Sequence, residues 1–161
     1  MIEIAGIRKE SLEDGKGIRT VIYFQGCKHK CSNCQNPHTW EWGEGQLVSM
    51  QYLLNIVKND TLSKGVTFSG GCPMCNAKSL IPLAKKLKEL GYSIWAYCGE
   101  TIEDLNGDQL DLLQYIDVLI DGRYEDKLRD DTLAFRGSSN QRIINVKESI
   151  RQNKVIGLLM G

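Results

Sequence analysis

Six short apolar segments recur along this chain of 161 residues, with helical patterns between them. They are rich in β-branched and aromatic residues, which is typical of strands. Because they are apolar almost throughout instead of alternating with polar residues, they favour parallel strands covered on both faces. Strands that alternate with helices over short connections predict a parallel α/β sheet. The segments are 20–25, 65–69, 93–97, 117–121, 142–146 and 155–159.

The clearest helical pattern covers residues 77–90, where leucine and alanine side chains form one stripe and lysines lie off it. Asn76 is placed to cap the start of this helix, and Gly91 is placed to end it. A second helix is predicted over residues 49–59. Thr101 begins a further segment that has the pattern of a helix start with a capping box.

The length of the chain limits how the sheet can close. A closed eight-stranded β/α barrel typically takes roughly 250 residues. About six parallel strands in 161 residues therefore predict an open, partial barrel. No repeat, low-complexity tract or linker divides the sequence, so we expect one domain over residues 1–161. The active site of such a fold is expected at the carboxyl ends of the strands, where the following loops converge.

Three cysteines, Cys27, Cys31 and Cys34, lie within eight residues just after the first apolar segment. A tetrahedral structural zinc would need a fourth nitrogen or sulfur ligand. A [4Fe–4S] cluster held by three thiolates instead leaves one iron with an open coordination site, where chemistry can take place. The spacing therefore favours an iron–sulfur cluster over zinc.

A zinc site remains the alternative for this segment. It could be completed by a nearby histidine, His29 or His38, or by a second C-x2-C pair, Cys72 and Cys75. The two C-x2-C pairs are separated by more than the roughly 15–20 residues of a common zinc ribbon. This alternative also leaves Cys27 unexplained.

The composition argues against several classes of function. Twenty basic and twenty acidic residues cancel, so no basic stripe indicates nucleic acid. The N-terminus lacks the basic and long apolar regions of a signal peptide, and no run approaches the roughly 18 apolar residues that span a bilayer. We therefore expect a soluble, cytoplasmic protein without a nucleic-acid or membrane partner. In that compartment six cysteines indicate metal chemistry before disulfides.

Three further loops follow predicted strands and would meet the cysteine segment at the same edge of the sheet. Gly70 and Gly71 follow the second segment; paired glycines let the backbone approach a ligand closely, although such a pair is commonly just a turn. Tyr97 and Gly99 follow the third segment and suit either ligand contact or core and turn. Asp121 ends the fourth, where it could orient a cofactor hydroxyl or cap a turn.

Taken together, these segments resemble the radical S-adenosylmethionine (SAM) enzymes, and among them the activating proteins of anaerobic, class III ribonucleoside-triphosphate reductases. The resemblance covers nearly the whole chain, from about residue 7 to residue 146. The sequence departs from the family pattern at Lys16, where a proline is usual, and at Cys72, where an acidic residue is usual; Cys75 is an additional cysteine. The matching pieces are 14–20, 24–37, 68–71, 95–97, 117–122 and 135–142.

The resemblance implies both the cofactors and the reaction. One [4Fe–4S] cluster, held by Cys27, Cys31 and Cys34 and reduced by a flavodoxin-type donor, would pass one electron to the sulfonium of SAM. The resulting 5′-deoxyadenosyl radical would take a hydrogen atom from a glycine of the reductase large subunit. No catalytic residue beyond the cluster and SAM is implied. The implied SAM contacts are Asn33, Gln35, Ser69, Gly70, Gly71, Tyr97, Gly99 and Asp121.

Two other functions stay open on the sequence alone. One is a zinc or iron–sulfur module without catalysis, and the other is a different radical SAM enzyme, acting on a small molecule or on another glycyl radical protein. The cysteines outside the motif, Cys72, Cys75 and Cys98, could bind a second metal, form a redox pair or simply pack. Three thiols do not complete a zinc site without another ligand. We therefore favour packing, with the backbone of Gly70 and Gly71 keeping the SAM contact.

Overall fold

The computed structural model describes residues 1–27 and 39–158. This part of the chain contains seven strands in one sheet and four α-helices, with short 3₁₀ helices at Pro73–Asn76, Ile102–Asp104 and Asp126–Leu128. The strands are β1 (Ile2–Ser11), β2 (Arg19–Phe24), β3 (Gln46–Val48), β4 (Gly65–Gly70), β5 (Ser93–Tyr97), β6 (Val118–Asp121) and β7 (Arg142–Asn145). The helices are α1 (Met50–Asn59), α2 (Ala77–Glu89), α3 (Asp108–Leu113) and α4 (Val146–Gln152).

The centre of the sheet is parallel, as the apolar segments predict. The strand order is β3-β1-β2-β4-β5-β6-β7, and the neighbours from β2 to β6 all pair in parallel. These four strands are almost entirely buried, which explains why their sequences do not alternate. Their carboxyl ends therefore lie along one edge of the sheet.

The prediction of about six parallel strands is not confirmed, because the sheet is mixed. Strand β7 pairs with β6 in the antiparallel direction, and β1 is antiparallel to both β2 and β3. No strand covers the described part of residues 155–159, where Gly157 makes only an isolated bridge to Ile144. Strand β1 is not predicted by the apolar segments, because charged and exposed residues interrupt its apolar positions. In the described part of the chain β3 and β7 are the two edges, so the sheet is open.

The helices predicted over residues 49–59 and 77–90 are confirmed with small changes at their ends. Ser49 caps α1, its side-chain oxygen accepting from Tyr52 N at 3.1 Å. Gly91 ends α2 with a φ of +92°, a conformation that favours glycine. Asn76 precedes α2 but makes no capping hydrogen bond. The segment after Thr101 forms only a 3₁₀ turn, with α3 beginning later, at Asp108.

The two faces of the sheet are covered differently. On one face all four α-helices pack against a large apolar core, in which Phe24 and Phe68 meet edge to face with ring centroids 5.2 Å apart. Because side chains alternate along a strand, Trp95 lies on the other face from its neighbours in β5. There it meets Phe135 edge to face at 5.3 Å, from the long segment between β6 and β7. This second face therefore has a smaller core, under which a ligand site can form.

Arg19 closes this second face at the amino ends of the strands. Its buried guanidinium donates to Thr67 Oγ1 at 2.8 Å and to the carbonyl oxygens of Val66 and Ser93, both at 2.9 Å. It also lies over the Trp95 ring at 5.4 Å. Burial lowers the pKa of Arg19 to about 10, so the group stays charged near neutral pH. Arg19 and Trp95 therefore fill this face at the amino ends of the strands.

Asp60, which follows α1, connects three parts of the fold. Its carboxylate Oδ2 accepts from Ser63 Oγ at 2.6 Å, from Thr20 Oγ1 at 2.7 Å and from the backbone N of Glu10 at 3.2 Å. Burial acts to raise the pKa of Asp60, but these donors outweigh burial and hold the pKa below its ordinary value of 3.8. The ionised carboxylate therefore stabilises the junction of β1, β2 and the α1–β4 connection.

We expect Asp60→Asn to destabilise the protein by about 1–3 kcal/mol at neutral pH, because the neutral amide is a weaker acceptor and adds donors of its own. A carboxyl whose pKa is lowered by folding stabilises the protein above its unfolded pKa, and the contribution is lost as pH falls through the folded pKa. The wild-type and variant free energies of unfolding in urea should therefore converge below about pH 4. A difference that persists unchanged in acid would contradict this role.

Candidate functional site

A cavity of about 450 Å³ lies at the carboxyl ends of the four parallel strands. Each of these strands supplies part of its wall through the residues at or just after its end: Cys27 from β2, residues 69–71 from β4, residues 97–99 from β5 and Gly122 from β6. The sequence analysis predicted a site at this edge of the sheet. The structure brings five of the implied SAM contacts together there, and they are Ser69, Gly70, Gly71, Tyr97 and Gly99.

Cys27 is the one predicted cluster ligand within the described residues. Its side chain is only 7% exposed and lines the cavity. Gly26 N donates to Thr39 O at 2.6 Å and Cys27 N donates to Trp40 O at 3.0 Å. These two bonds hold residues 26–27 against residues 39–40. The predicted ligands Cys31 and Cys34 and the implied SAM contacts Asn33 and Gln35 belong to that segment and lie outside the described residues.

The two glycines at the end of β4, Gly70 and Gly71, are required by packing. Gly70 has a φ of +99°, and a Cβ there would lie 2.5 Å from Phe24 N. A Cβ on Gly71 would overlap the carbonyl oxygen of Gly26. Gly71 N donates to Phe24 O at 2.9 Å, and Cys72 N donates to Gly26 O at 3.0 Å. The glycine loop therefore lies directly against the backbone that leads into Cys27.

Tyr97 and Gly99 form the wall contributed by β5. The Tyr97 hydroxyl donates to the carbonyl oxygen of Phe135 at 2.7 Å. Burial, with the nearby Asp14 and Tyr23, raises the pKa of Tyr97, so its phenol stays protonated. The backbone around Gly99 is fixed to β6, because Cys98 N donates to Ile120 O at 2.9 Å. Tyr97 thus links the end of β5 to the long segment between β6 and β7.

Asp121 is not among the residues that line the cavity. Its fully buried carboxylate accepts from Arg142 Nε at 3.0 Å, from Arg142 Nη2 at 2.6 Å and from the backbone N of Ile102 at 2.8 Å. Arg142 also donates to the exposed Glu103. Asp121 thus joins the end of β6 to β7 and to the turn that follows Gly99. It supports the cavity wall without lining the cavity.

We expect Arg142→Ala to cost about 3–5 kcal/mol of stability, because it leaves the Asp121 carboxylate buried without its counter-charge. Glu103→Ala removes only the exposed partner of the same arginine and should cost less than about 1 kcal/mol. The free energy of unfolding of the two variants, measured side by side in urea, checks the difference. Equal losses in both variants would show that Asp121 does not depend on Arg142.

The sequence analysis assigned no role to several polar residues that line the cavity. Gln141 is nearly buried and holds the far wall: its Oε1 accepts from Gly137 N at 3.0 Å and its Nε2 donates to Gly122 O at 3.1 Å. Arg136 Nη1 donates to Gln141 O at 2.7 Å. Three of these lining residues, Asp14, Arg136 and Gln141, lie in segments 14–20 and 135–142, which match the family pattern and could have indicated them. The unassigned residues are Arg8, Glu13, Asp14, Tyr23, Tyr124, Asp131, Arg136 and Gln141.

The residues present fit a thiolate-bound cluster with a ligand beside it. Cys27 offers a nearly buried sulfur at the wall, and Gly70 and Gly71 line the same cavity beside it without side chains. Backbone groups at such a loop can approach a ligand closely. Among the described residues, no group of three or more histidine, cysteine or acidic side chains is arranged to hold a metal ion. Any cluster at this site therefore depends on the segment 28–38 for its other ligands.

Comparison with known proteins identifies the family. The sequence model of a 4Fe-4S single cluster domain matches residues 13–144. The anaerobic ribonucleoside-triphosphate reductase-activating protein of Haemophilus influenzae is 34% identical over 142 residues, which cover 83% of this chain and 92% of that protein. The protein of the same name from Enterobacteria phage T4 is 37% identical over 136 residues, covering 81% of this chain and 85% of that protein. The chain belongs to the family of anaerobic ribonucleoside-triphosphate reductase-activating proteins.

Membership in this family confirms the resemblance seen in the sequence. The activating protein is a radical SAM enzyme whose cofactors are a [4Fe–4S] cluster and SAM, as predicted. Among solved structures, QueE from Escherichia coli superposes with a TM-score of 0.52 at 21% identity, over 62% of this chain and 53% of QueE. That similarity supports the α/β fold alone. Within residues 1–27 and 39–158, no helix is long and apolar enough to cross a membrane.

Proposed function

We propose that this activating protein holds a [4Fe–4S] cluster with Cys27, Cys31 and Cys34, binds SAM in the cavity, and forms a glycyl radical on the large subunit of anaerobic ribonucleoside-triphosphate reductase. The observation that carries the proposal is that Cys27 and the glycine loop meet in one cavity wall at the carboxyl ends of parallel strands. Three thiolates leave one iron of the cluster open. The glycine loop beside Cys27 offers its backbone to a ligand bound there.

The charges of the cavity suit a ligand of mixed charge. SAM carries a positive sulfonium, an ammonium group and a carboxylate. Acidic and basic side chains line the same cavity, and its volume of about 450 Å³ lies within the roughly 300–1,000 Å³ of small-molecule sites. The acidic residues are Glu13, Asp14 and Asp131, and the basic residues are Arg8 and Arg136. Side chains of both signs thus line the cavity, with Arg8 paired to Glu13 at 3.3 Å and Asp131 paired to Arg129 at 3.2 Å.

When bound, the cluster would be held by Cys27, Cys31 and Cys34 and would supply one electron for the cleavage of SAM, whose 5′-deoxyadenosyl group would take a hydrogen atom from the reductase glycine. The chain's own residues bind and orient the ligand and limit access of water. Arg19 and Trp95 fill the amino ends of the strands. Tyr97 is held by Phe135, and Asp121 with Arg142 supports the wall behind Gly99. These contacts preorganise the site before SAM enters.

The sheet leaves one side on which the reductase can approach. Its edge strands β3 and β7 do not pair with each other in the described part of the chain. We place the sheet in an open barrel of the radical SAM type, formed by a single domain over residues 1–161. A glycine loop of the reductase can enter such a barrel from its open side, which a closed barrel would not permit. We also propose a flavodoxin-type electron donor and a cytoplasmic site of action.

Isotope transfer tests this function. The reduced activating protein is incubated anaerobically with SAM and a reductase large subunit whose glycines carry deuterium. The 5′-deoxyadenosine formed should contain one deuterium atom, and a reductase without label, as the matched control, should give none. SAM cleavage that leaves 5′-deoxyadenosine free of deuterium would contradict the proposal and would favour a small-molecule substrate.

A further inference from the structure

Three thiols that the proposed function does not use meet beside the cavity. Cys72 is 1% exposed and Cys98 is 4% exposed, whereas Cys75 is half-buried. The Cys72 thiol interacts with the thiols of both Cys75 and Cys98, and these interactions affect its pKa. The Cys98 sulfur also accepts from Glu100 N at 3.2 Å, and Cys98 lines the cavity. The three sulfurs therefore form a contiguous group, reached from the surface through Cys75.

The backbone places Cys72 and Cys75 at the separation that a disulfide requires. Cys75 N donates to Cys72 O at 3.1 Å, a bond that closes a four-residue turn. The Cα atoms at the ends of such a turn lie within about 7 Å, and disulfides span Cα separations of about 4.4–6.8 Å. Pro73 is the second residue of this turn, the position that proline favours, and fixes its backbone. The backbone bond already holds the two residues at this separation, and their thiols interact, so little movement is needed to join them.

We propose that Cys72 and Cys75 form a reversible intramolecular disulfide by exchange with low-molecular-weight disulfides. In the first step the Cys75 thiolate attacks the small disulfide, forming a mixed disulfide and releasing one thiol. In the second step the Cys72 thiolate attacks the Cys75 sulfur, which forms the internal S–S bond and releases the second thiol. Two protein thiols are oxidised and one small disulfide is reduced to two thiols, so atoms and electrons balance.

Exposure and burial indicate which thiol attacks the external disulfide and which one closes the internal bond. Cys75 is the more exposed of the pair and can meet an external disulfide. The hydrogen bond with Cys75 acts to lower the pKa of Cys72, but the hydrogen bond with Cys98 and burial outweigh it, so the pKa of Cys72 is raised. A buried thiol with a raised pKa reacts poorly with outside reagents. It can still resolve a mixed disulfide on Cys75, with which it is in contact.

The position of the pair ties this redox site to the cavity. Cys72 directly follows Gly71, and its backbone N holds Gly26 O next to Cys27. A disulfide between Cys72 and Cys75 therefore alters the position of a residue whose backbone joins the glycine loop to the loop that carries Cys27.

Peptide mapping tests the proposal on the reconstituted protein under anaerobic conditions. The protein is exposed to excess oxidised glutathione, remaining thiols are alkylated, and trypsin is added. Residues 65–78 contain both Cys72 and Cys75 and lie between two trypsin sites, after Lys64 and after Lys78. We expect most of this peptide to appear unalkylated and lighter by two hydrogen atoms, and to regain two alkyl groups after treatment with dithiothreitol. Cys98→Ser should form the same bond, whereas Cys72→Ser should stop at a glutathione adduct on Cys75.

Three results would overturn the proposal. The peptide could keep two free thiols in the wild-type protein, or carry a glutathione adduct without closing. It could instead be cross-linked to the peptide that contains Cys98. Each result is read from mass alone, so the outcome does not depend on whether the proposed activity is present.

Discussion

Cys27→Ala is expected to abolish both the cluster absorbance and SAM cleavage after anaerobic reconstitution. The thiol is nearly buried in the cavity wall, so the variant removes one of the three proposed thiolate ligands. Two thiolates do not hold a [4Fe–4S] cluster of the three-cysteine type. Cys31→Ala and Cys34→Ala should have the same effect, with iron falling from about four atoms per chain to background.

Cys75→Ala provides the matched control for these variants. It also removes one thiol close to the cavity, but we expect its iron content and absorbance to equal those of the wild type. Full iron content and activity in any of the three motif variants would contradict the ligand assignment. Loss of metal from Cys75→Ala would show an additional metal site at the glycine loop.

Gly71→Ala is expected to weaken SAM binding at least tenfold, which corresponds to about 1.4 kcal/mol. Its φ is not in the left-handed region, so the effect comes from space alone. The new Cβ would overlap Gly26 O and lie 2.9 Å from Thr39 O, forcing the glycine loop away from the loop that carries Cys27. Overpacking of this kind also costs about 1–3 kcal/mol of stability. Equilibrium binding of SAM to the reconstituted variant measures the effect.

Gly6→Ala is the control for this prediction. Gly6 lies in β1, and a Cβ at that position has no atom within 4 Å. We expect SAM affinity and stability close to those of the wild type. If a folded Gly71→Ala protein bound SAM as tightly as Gly6→Ala does, the glycine loop would have no part in the ligand site.

The sequence predicted the centre of the fold because that part depends on local pattern. The strands β2, β4, β5 and β6 are buried on both faces and read as continuous apolar runs. An apolar run does not indicate the direction of a strand, so β7 was expected to be parallel, whereas it pairs with β6 in the antiparallel direction. Strand β1 carries charged residues on its exposed part, and its apolar positions gave no continuous signal.

The site shows the same division between local and distant information. The glycine pair after β4 was visible as a motif, but its close packing against Phe24 and Gly26 depends on contacts between loops. Asp121 was assigned to SAM because it ends a strand at the cavity edge. Its charge is met by Arg142, a residue of the next strand, and no periodicity or spacing reveals that pairing.

The most direct test of the proposed function is electron paramagnetic resonance of the complete reaction. The anaerobically reduced activating protein is mixed with SAM and the large subunit of its cognate reductase. The spectrum is recorded, and the signal of the reduced cluster is subtracted from it. We expect a doublet from a glycyl radical on the large subunit, absent when SAM is omitted or when Cys27→Ala replaces the wild type. Normal cleavage of SAM with no protein radical on the reductase would contradict the account.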